Sequence, residues 1–236
     1  MPEMPENDAP VFRKPWYLYL VECADAAGSP CSGSMNFLAH ALLAGPDPVD
    51  RLGGMLGDFV KGSLPAGLPL PVAAGVELHR RIDSFADTHP AFRRSRSRVS
   101  PERRRYAGIM IDLFYDHFLA VHWERYSAEP LEDFAAGIYA LLSDHVALLP
   151  PRLKQILPYM RDQDWLSGYR SLDAVGVALD RMARHRLTRP NPLAGSGDEL
   201  RVRYRDFEAD FFSFFSDAWK FAAMFRQHER AGQPSA

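Results

Sequence analysis

The sequence feature that most constrains the fold is a helical repeat of apolar side chains within residues 101–126. These side chains recur at three- and four-residue steps: Ile109, Leu113, Phe114, Phe118 and Val121. That spacing places them on one face of an α-helix. Strand-like alternation is nearly absent after residue 34, and Asp47-Pro48 puts a capping side chain before a proline at a first helical position. The pattern therefore predicts an all-α fold.

Caps, prolines and glycines place the remaining helices. We expect the long helix at 101–126 and further helices at 35–44, 48–60, 71–87, 131–149, 151–161, 171–186 and 199–229. The segment 188–198 carries two prolines and two glycines and is predicted to be an exposed loop. The aromatic-rich stretch 207–225 is broken by charged residues at helical spacing, which indicates core packing and not membrane contact.

Length and composition indicate one helical domain that spans residues 35–236. Residues 1–34 differ in composition and are interpreted as a leader outside the core, with an additional strand or arm as the alternative. The only cysteines, Cys23 and Cys31, lie in that leader and cannot complete a four-ligand zinc site. No apolar run approaches the length of a bilayer-spanning helix, so we expect a cytoplasmic protein without a membrane partner.

Histidine and aspartate side chains concentrate in the first half of this domain. His40 lies in the first predicted helix, Asp58 closes the second, and His79 and Asp83 share one face of the third at a four-residue step. Such oxygen and imidazole ligands, with no thiolate, suit manganese, magnesium or iron better than structural zinc. The alternative is that each residue caps a helix or is a hydrogen-bonded core histidine.

The long predicted helix adds a second group of candidates. Asp112 and Asp116 interrupt an otherwise apolar segment, and His117 follows directly. A carboxylate buried without a cation or a donor would be costly, so the two aspartates require compensation. Both are therefore candidate metal ligands.

Four blocks in order carry a resemblance to a known family: residues 35–40 (Met-Asn-Phe-Leu-Ala-His), 53–62 with the ending Gly-Asp-Phe-Val-Lys-Gly, 79–83 (His-Arg-Arg-Ile-Asp), and 112–118. Together they resemble the acyl carrier protein phosphodiesterases, diverged relatives of the HD-type metal phosphohydrolases. The resemblance implies an all-helical, HD-like single-domain bundle. It also implies a divalent metal, manganese first with magnesium or iron as alternatives, and the conversion of holo-acyl carrier protein to the apo form and 4'-phosphopantetheine.

The resemblance also implies roles for individual residues. The metal candidates are His40, Asp58, His79, Asp112 and Asp116. The catalytic candidates are Asp58, Asp83 and His117. HD enzymes read His-Asp, whereas this chain has the reversed pair Asp116-His117, so ligand assignments do not transfer directly from HD enzymes.

Three cations near these blocks are candidates for holding a phosphate. Lys61, Arg80 and Arg81 are close in sequence to the proposed ligands, and an arginine can bind a phosphate through two parallel hydrogen bonds. The alternative for each is an ordinary solvated surface residue.

The densest charge cluster is a run of arginines: Arg93, Arg94, Arg96, Arg98, Arg103, Arg104 and Arg105. We define it as the arginine run and interpret it as a docking surface for the acidic carrier protein. A solvated face is the first alternative. Nucleic acid binding is the less favoured one, because the chain has a net charge of -2 and no aromatic residues interleave with these arginines. A phosphohydrolase of nucleotides or other small phosphodiesters, or a non-catalytic module that binds the carrier or RNA, remain open.

Overall fold

The computed structural model describes residues 36–185 and 191–231. Over these residues the chain forms eleven α-helices and no strand, which confirms the all-α prediction. The helices are α1 Phe37–Leu43, α2 Pro48–Leu56, α3 Leu70–Thr88, α4 Pro90–Arg98, α5 Ala107–Val121, α6 Leu131–Asp144, α7 Pro151–Asp162, α8 Trp165–Gly168, α9 Leu172–His185, α10 Gly197–Val202 and α11 Tyr204–Ala231. The predictions for residues 1–34, with Cys23 and Cys31, and for part of the loop 188–198 lie outside the described residues. In the described part of that loop the prediction of exposure is wrong, because Leu193 and Ser196 are buried and α10 begins at Gly197.

The long helix predicted at 101–126 is three segments in the structure. A 3₁₀ helix at Pro101–Tyr106 precedes α5, and a second at Trp123–Arg125 follows it. The backbone at Tyr106 (φ -104°, ψ 5°) and at His122 (φ -104°, ψ 24°) leaves the α-helical region at both ends of α5. The apolar repeat therefore continues across the breaks although the backbone hydrogen-bond pattern does not.

Further helix predictions differ from the structure. The helix predicted at 48–60 ends at Leu56, the one predicted at 131–149 ends at Asp144, and α8 was not predicted. Helix α4 was not predicted, because it has four arginines in nine residues and buries only Ala91, Phe92 and Ser95, so its apolar stripe is short. The helix predicted at 199–229 divides at Arg203 into α10 and α11, since the backbone of that residue departs from helical geometry (φ -115°, ψ 29°).

Glycines allow α2 and α3 to pack with their backbones almost in contact. A Cβ at Gly53 would lie 2.4 Å from the carbonyl oxygen of Val72, and one at Gly75 would lie 2.7 Å from the carbonyl oxygen of Asp50. Any side chain at either position would push the two helices apart. This close approach holds the middle of α2 against the first turns of α3.

Aromatic side chains of α11 build much of the core against α5. Phe207 packs on Phe114 with ring centroids 5.2 Å apart, and Phe211 packs on Phe118 at 5.8 Å. All four rings are buried, as the sequence pattern indicates, and the buried apolar residues of the described part of the chain form one continuous cluster. Among the described helices, none has the combination of length and apolar character that crossing a bilayer requires.

Candidate metal centre

A carboxylate from α5 sets the position of α1. Asp116 accepts hydrogen bonds from the backbone N–H groups of Leu38 (3.1 Å) and Ala39 (2.9 Å), two of the donors that a helix N-terminus leaves without intrahelical partners. Burial raises the pKa of Asp116 well above its usual value, although the two N–H groups act in the opposite direction. His40, one residue further along α1, is only 2% exposed. Asp116 thus helps to fix the helix that carries His40.

His79 of α3 lies face to face with His40. The two imidazole rings are stacked with centroids 3.6 Å apart. Nδ1–H of His79 donates to the carbonyl of Gly54 at 2.8 Å, so its Nε2 faces two carboxylates, 3.5 Å from Asp58 Oδ1 and 3.4 Å from Asp83 Oδ2. Asp83 Oδ1 lies 3.1 Å from His40 Nε2. We call these four residues, His40, Asp58, His79 and Asp83, the histidine–aspartate centre.

Gly57 makes room for this arrangement. A Cβ at Gly57 would lie 2.1 Å from Cγ of the His79 ring, closer than any real contact. The imidazole therefore rests directly on the backbone at the end of α2, immediately before Asp58. The sequence alone does not reveal that Gly57 faces the ring of His79.

The charges within the centre are strongly coupled. Burial by itself lowers the pKa of His79, but Asp58 and Asp83 outweigh it and raise that pKa to about 10. Burial favours the neutral acid of Asp83, yet the imidazoles of His40 and His79 hold its pKa well below the usual range. Burial and the neighbouring His79 lower the pKa of His40. The two carboxylates thus favour positive charge in the space between them.

The residues of the centre fit a divalent cation. His40, His79 and Asp83 each offer one ligand atom, and these atoms lie within 4.8 Å of one another. Three buried polar atoms of the centre make no hydrogen bond to any part of the chain that the structure describes. They are His40 Nδ1, Asp58 Oδ2 and His79 Nε2. Buried polar atoms ordinarily have partners, so their clustering here indicates a missing one. Imidazole nitrogen and carboxylate oxygen are the donors that manganese and iron accept.

The centre opens into a polar pocket of about 290 Å³, lined in part by Asp58, His79 and Asp83. Two of the predicted phosphate-binding cations lie there. Lys61 is exposed at the rim, and Arg80 donates to the carbonyls of Val60 and Gly62, at 2.9 Å in both cases. Arg80 therefore braces the wall of the pocket while lining it.

Arg81, the third predicted phosphate-binding cation, is placed differently. It is 60% exposed and pairs with Glu77 one turn away on α3, at 2.7 Å, and it is not among the residues that line the pocket.

The remaining candidates, all from α5, are buried, and Asp116 and His117 make their hydrogen bonds outside the histidine–aspartate centre. Asp112 is 7% exposed, and Asp116 binds the N-terminus of α1. His117 donates from Nδ1 to the carbonyl of Tyr169 at 2.8 Å and accepts at Nε2 from the hydroxyl of Tyr204 at 3.2 Å. Both of its ring nitrogens are thus engaged on the α8–α11 side of α5. The structure brings Asp83, and not His117, to the centre.

Much of the arginine run is tied to acidic residues of the protein itself. Asp210 of α11, whose side chain is 4% exposed, binds Arg94 at 3.0 Å and Arg98 at 2.8 Å. Arg103 pairs with Glu199 at 3.0 Å. These contacts fasten α4 and the following 3₁₀ helix to α10 and α11. The sequence analysis did not identify Asp210 as the acidic partner of the arginine run. In the sequence, Asp210 stands out only as a carboxylate within an aromatic-rich helix.

The other arginines of the run are less engaged. Arg96 pairs with Asp87 at 3.2 Å, Arg104 donates twice to the carbonyl of Val99, and Arg93 donates to the carbonyl of Asp87 at 3.0 Å. Arg93 and Arg105 are exposed. A partner of opposite charge would meet these side chains first.

Comparison with known proteins identifies the same family that the four sequence blocks resemble. The family model described as acyl carrier protein phosphodiesterase matches residues 35–218. Proteins named acyl carrier protein phosphodiesterase are similar to the chain: that of Serratia proteamaculans is 38% identical over 185 residues, and that of Pectobacterium atrosepticum is 33% identical over 184 residues. Each alignment covers 77% of this chain and 94% of the relative. No solved structure matches the chain.

The fold and the site define an all-helical protein with a buried histidine–carboxylate centre that opens into a cation-lined pocket. With the family match over most of its described length, the chain belongs to the acyl carrier protein phosphodiesterase family, a family of phosphoric diester hydrolases. The family resemblance seen in the sequence is thereby confirmed. The likeness to HD enzymes stays a prediction.

Proposed function

We propose that this protein hydrolyses the phosphodiester bond between 4'-phosphopantetheine and a serine of holo-acyl carrier protein. The products are apo-acyl carrier protein and 4'-phosphopantetheine. The observation that carries the proposal is the histidine–aspartate centre, in a chain whose relatives are named for this reaction. We place the reaction in the cytoplasm.

We further propose that His40, His79 and Asp83 hold a divalent cation, with Asp58 as the adjacent second carboxylate. The donor set suits Mn²⁺, with Mg²⁺ or Fe²⁺ as alternatives. When bound, such a cation lowers the pKa of coordinated water and neutralises charge on phosphoryl oxygens. Asp116 contributes by holding the N-terminus of α1, and a ligand role for Asp112 and Asp116 stays a prediction.

The residues around the centre supply the remaining chemistry. Lys61, exposed at the rim, approaches a phosphate oxygen as a flexible point charge. Arg80 holds the pocket wall through Val60 and Gly62 and presents its charge to the same space. Asp58 Oδ2 is buried and makes no hydrogen bond, so it can accept the proton of an attacking water.

The carrier protein is the proposed partner of the exposed part of the arginine run. Carrier proteins of this class are acidic, and a field of opposite charge raises the rate of encounter while the centre performs the chemistry. The exposed members are Arg93, Arg94, Arg104 and Arg105. Arg94 also joins Arg98 and Arg103 in holding α4, α10 and α11 together.

The test is incubation with holo-acyl carrier protein, with added Mn²⁺ or with a chelator, followed by intact mass of the carrier. We expect the carrier to lose the mass of one phosphopantetheine, only with metal, and not with an Asp58→Asn variant. Arg161→Gln, at an exposed position on α7, is the control that should retain full activity.

Two outcomes would contradict the proposal. Hydrolysis of small phosphodiesters with the holo-carrier left intact would assign the centre to a nucleotide or small-molecule phosphohydrolase. Tight binding of the carrier without turnover under any of the three metals would indicate a non-catalytic binding protein.

A further inference from the structure

A second cavity lies at the carboxyl end of α1, formed by the turn into α2 and by α11. Its volume is about 320 Å³, at the lower end of the range of small-molecule pockets. It shares no lining residue with the pocket at the histidine–aspartate centre. Two guanidiniums, Arg51 of α2 and Arg226 of α11, and two rings, Tyr126 and Trp219, contribute to its walls.

The two arginines converge on the turn between α1 and α2. Nε of Arg51 donates to the carbonyl of Gly45 at 2.8 Å, and Arg226 donates to the carbonyl of Leu43. The Arg226 guanidinium also lies against Gly45, whose φ of +91° and bare Cα leave room for it. Both cations therefore lie at the end of α1 where the helix dipole is negative.

The hydrogen bond to Gly45 uses only one of the N–H donors of Arg51. A guanidinium has five N–H donors, and the bond to Gly45 involves only Nε. Within the described part of the chain, no carboxylate lies within 4 Å of Arg51, and Glu129 is the anion that acts on it from further away. Burial lowers the pKa of Arg51, and its guanidinium carbon lies 4.7 Å from the ring centroid of Phe134. Arg51 is thus a partly buried cation without a direct counter-ion.

The lining of the cavity also includes apolar and aromatic side chains. The rings of Tyr126 and Trp219 lie with centroids 6.1 Å apart. Trp219 is 37% exposed although Phe215 and Ala222, on the same face of α11, are buried. Ser127 also lines the cavity, and its hydroxyl accepts a hydrogen bond from the backbone N–H of Glu129 at 3.1 Å. A pocket whose lining combines two arginines with two aromatic rings is complementary to an anion that carries a planar ring.

From this arrangement we infer that the cavity binds a nucleoside monophosphate, with the phosphate against Arg51 and Arg226 and the base against Trp219 and Tyr126. The size of the cavity favours a mononucleotide over a dinucleotide. This site is separate from the proposed reaction, and its existence does not depend on the activity of the histidine–aspartate centre.

The test uses the full-length protein and adenosine monophosphate, with isothermal titration calorimetry and tryptophan fluorescence as readouts. We expect saturable binding at millimolar or lower concentration, with a change in the emission of Trp219. Adenosine and inorganic phosphate alone should each bind at least about tenfold more weakly, since each lacks half of the contacts.

Variants locate the binding. Arg51→Gln and, independently, Trp219→Ala should each weaken binding at least about tenfold. Trp219 caps no helix, so its variant remains informative if Arg51→Gln fails to fold. Arg80→Gln, in the other pocket, and Trp165→Phe, a tryptophan outside the cavity, should leave the affinity unchanged.

Absence of binding, equal binding of phosphate and of the nucleotide, or loss of binding only in Arg80→Gln would each overturn the inference. The last result would place the nucleotide in the pocket of the histidine–aspartate centre instead.

Discussion

The imidazole rings of His40 and His79 are stacked 3.6 Å apart, although one comes from α1 and the other from α3. Two stacked imidazoles cannot both carry a proton cheaply, because like charges at this distance repel. The carboxylates of Asp58 and Asp83 flank the pair and supply negative charge. The donor atoms of His40, His79 and Asp83 are compatible with a divalent cation.

Replacement of Asp83 tests the ligand set. We expect Asp83→Asn to weaken Mn²⁺ binding at least about 100-fold, because loss of a ligand costs more than the 10- to 100-fold typical of outer partners. Calorimetric titration with Mn²⁺ measures this directly, without reference to activity. The matched control is Asp87→Asn, one turn further along α3, where the carboxylate is exposed and pairs with Arg96. Equal metal affinity of the two variants would remove Asp83 from the site.

Gly57 offers a test of how the centre is built. Gly57→Ala would drive a methyl group into the His79 ring, so we expect a loss of about 1–3 kcal/mol in the free energy of unfolding and weaker Mn²⁺ binding. The control is Gly137→Ala in α6, where nothing lies within 4 Å of the added carbon and the protein should gain about 0.5–1 kcal/mol. Urea unfolding measures both, and a stabilised Gly57→Ala protein would refute the contact.

If the arginine run docks the carrier protein, replacing one of its exposed arginines should weaken binding of the carrier without slowing the chemical step. We expect Arg93→Glu to lower kcat/KM for holo-acyl carrier protein about tenfold at low salt through a higher KM, with kcat unchanged. Steady-state kinetics at increasing salt should show the difference from wild type shrinking, since salt screens exposed charges. Arg161→Glu on α7 is the charge-matched control. An equal loss in both variants would show that net charge, and not this surface, matters.

The lowered pKa of His117 predicts that the free energy of unfolding depends on pH. Burial lowers its pKa in the folded protein below the ordinary value of about 6.5. On acidification the unfolded chain takes up the proton first, so the stabilising contribution is complete above about pH 6.5 and is lost as the pH falls through the folded pKa.

Urea unfolding at about pH 7.5 and about pH 5.5 should therefore show a smaller decrease in stability for His117→Asn than for wild type. His228→Gln, at an exposed position on α11, should keep the wild-type decrease. A His117→Asn protein that loses as much stability as wild type would contradict the assignment.

Local sequence patterns were sufficient for much of this fold. The four-residue step between His79 and Asp83 predicts a shared helical face, and in the structure Asp83 Oδ2 lies 3.4 Å from His79 Nε2. The arginine run misled in part, because its acidic partner Asp210 lies more than 100 residues away and no local pattern joins them. Helix α4 was not predicted because its many arginines leave only a short apolar stripe for a local pattern to detect.

The sequence by itself determined that the chain is helical, which face of each long helix is apolar, and which family its four blocks resemble. Only the tertiary structure decided that Asp83 joins His40 and His79, that Asp116 binds the N-terminus of α1, and that His117 faces away toward Tyr169. The reason is physical. Helical periodicity depends on neighbours within one turn, whereas a site shared by α1, α2 and α3 depends on how closely their backbones pack, which Gly53, Gly57 and Gly75 control.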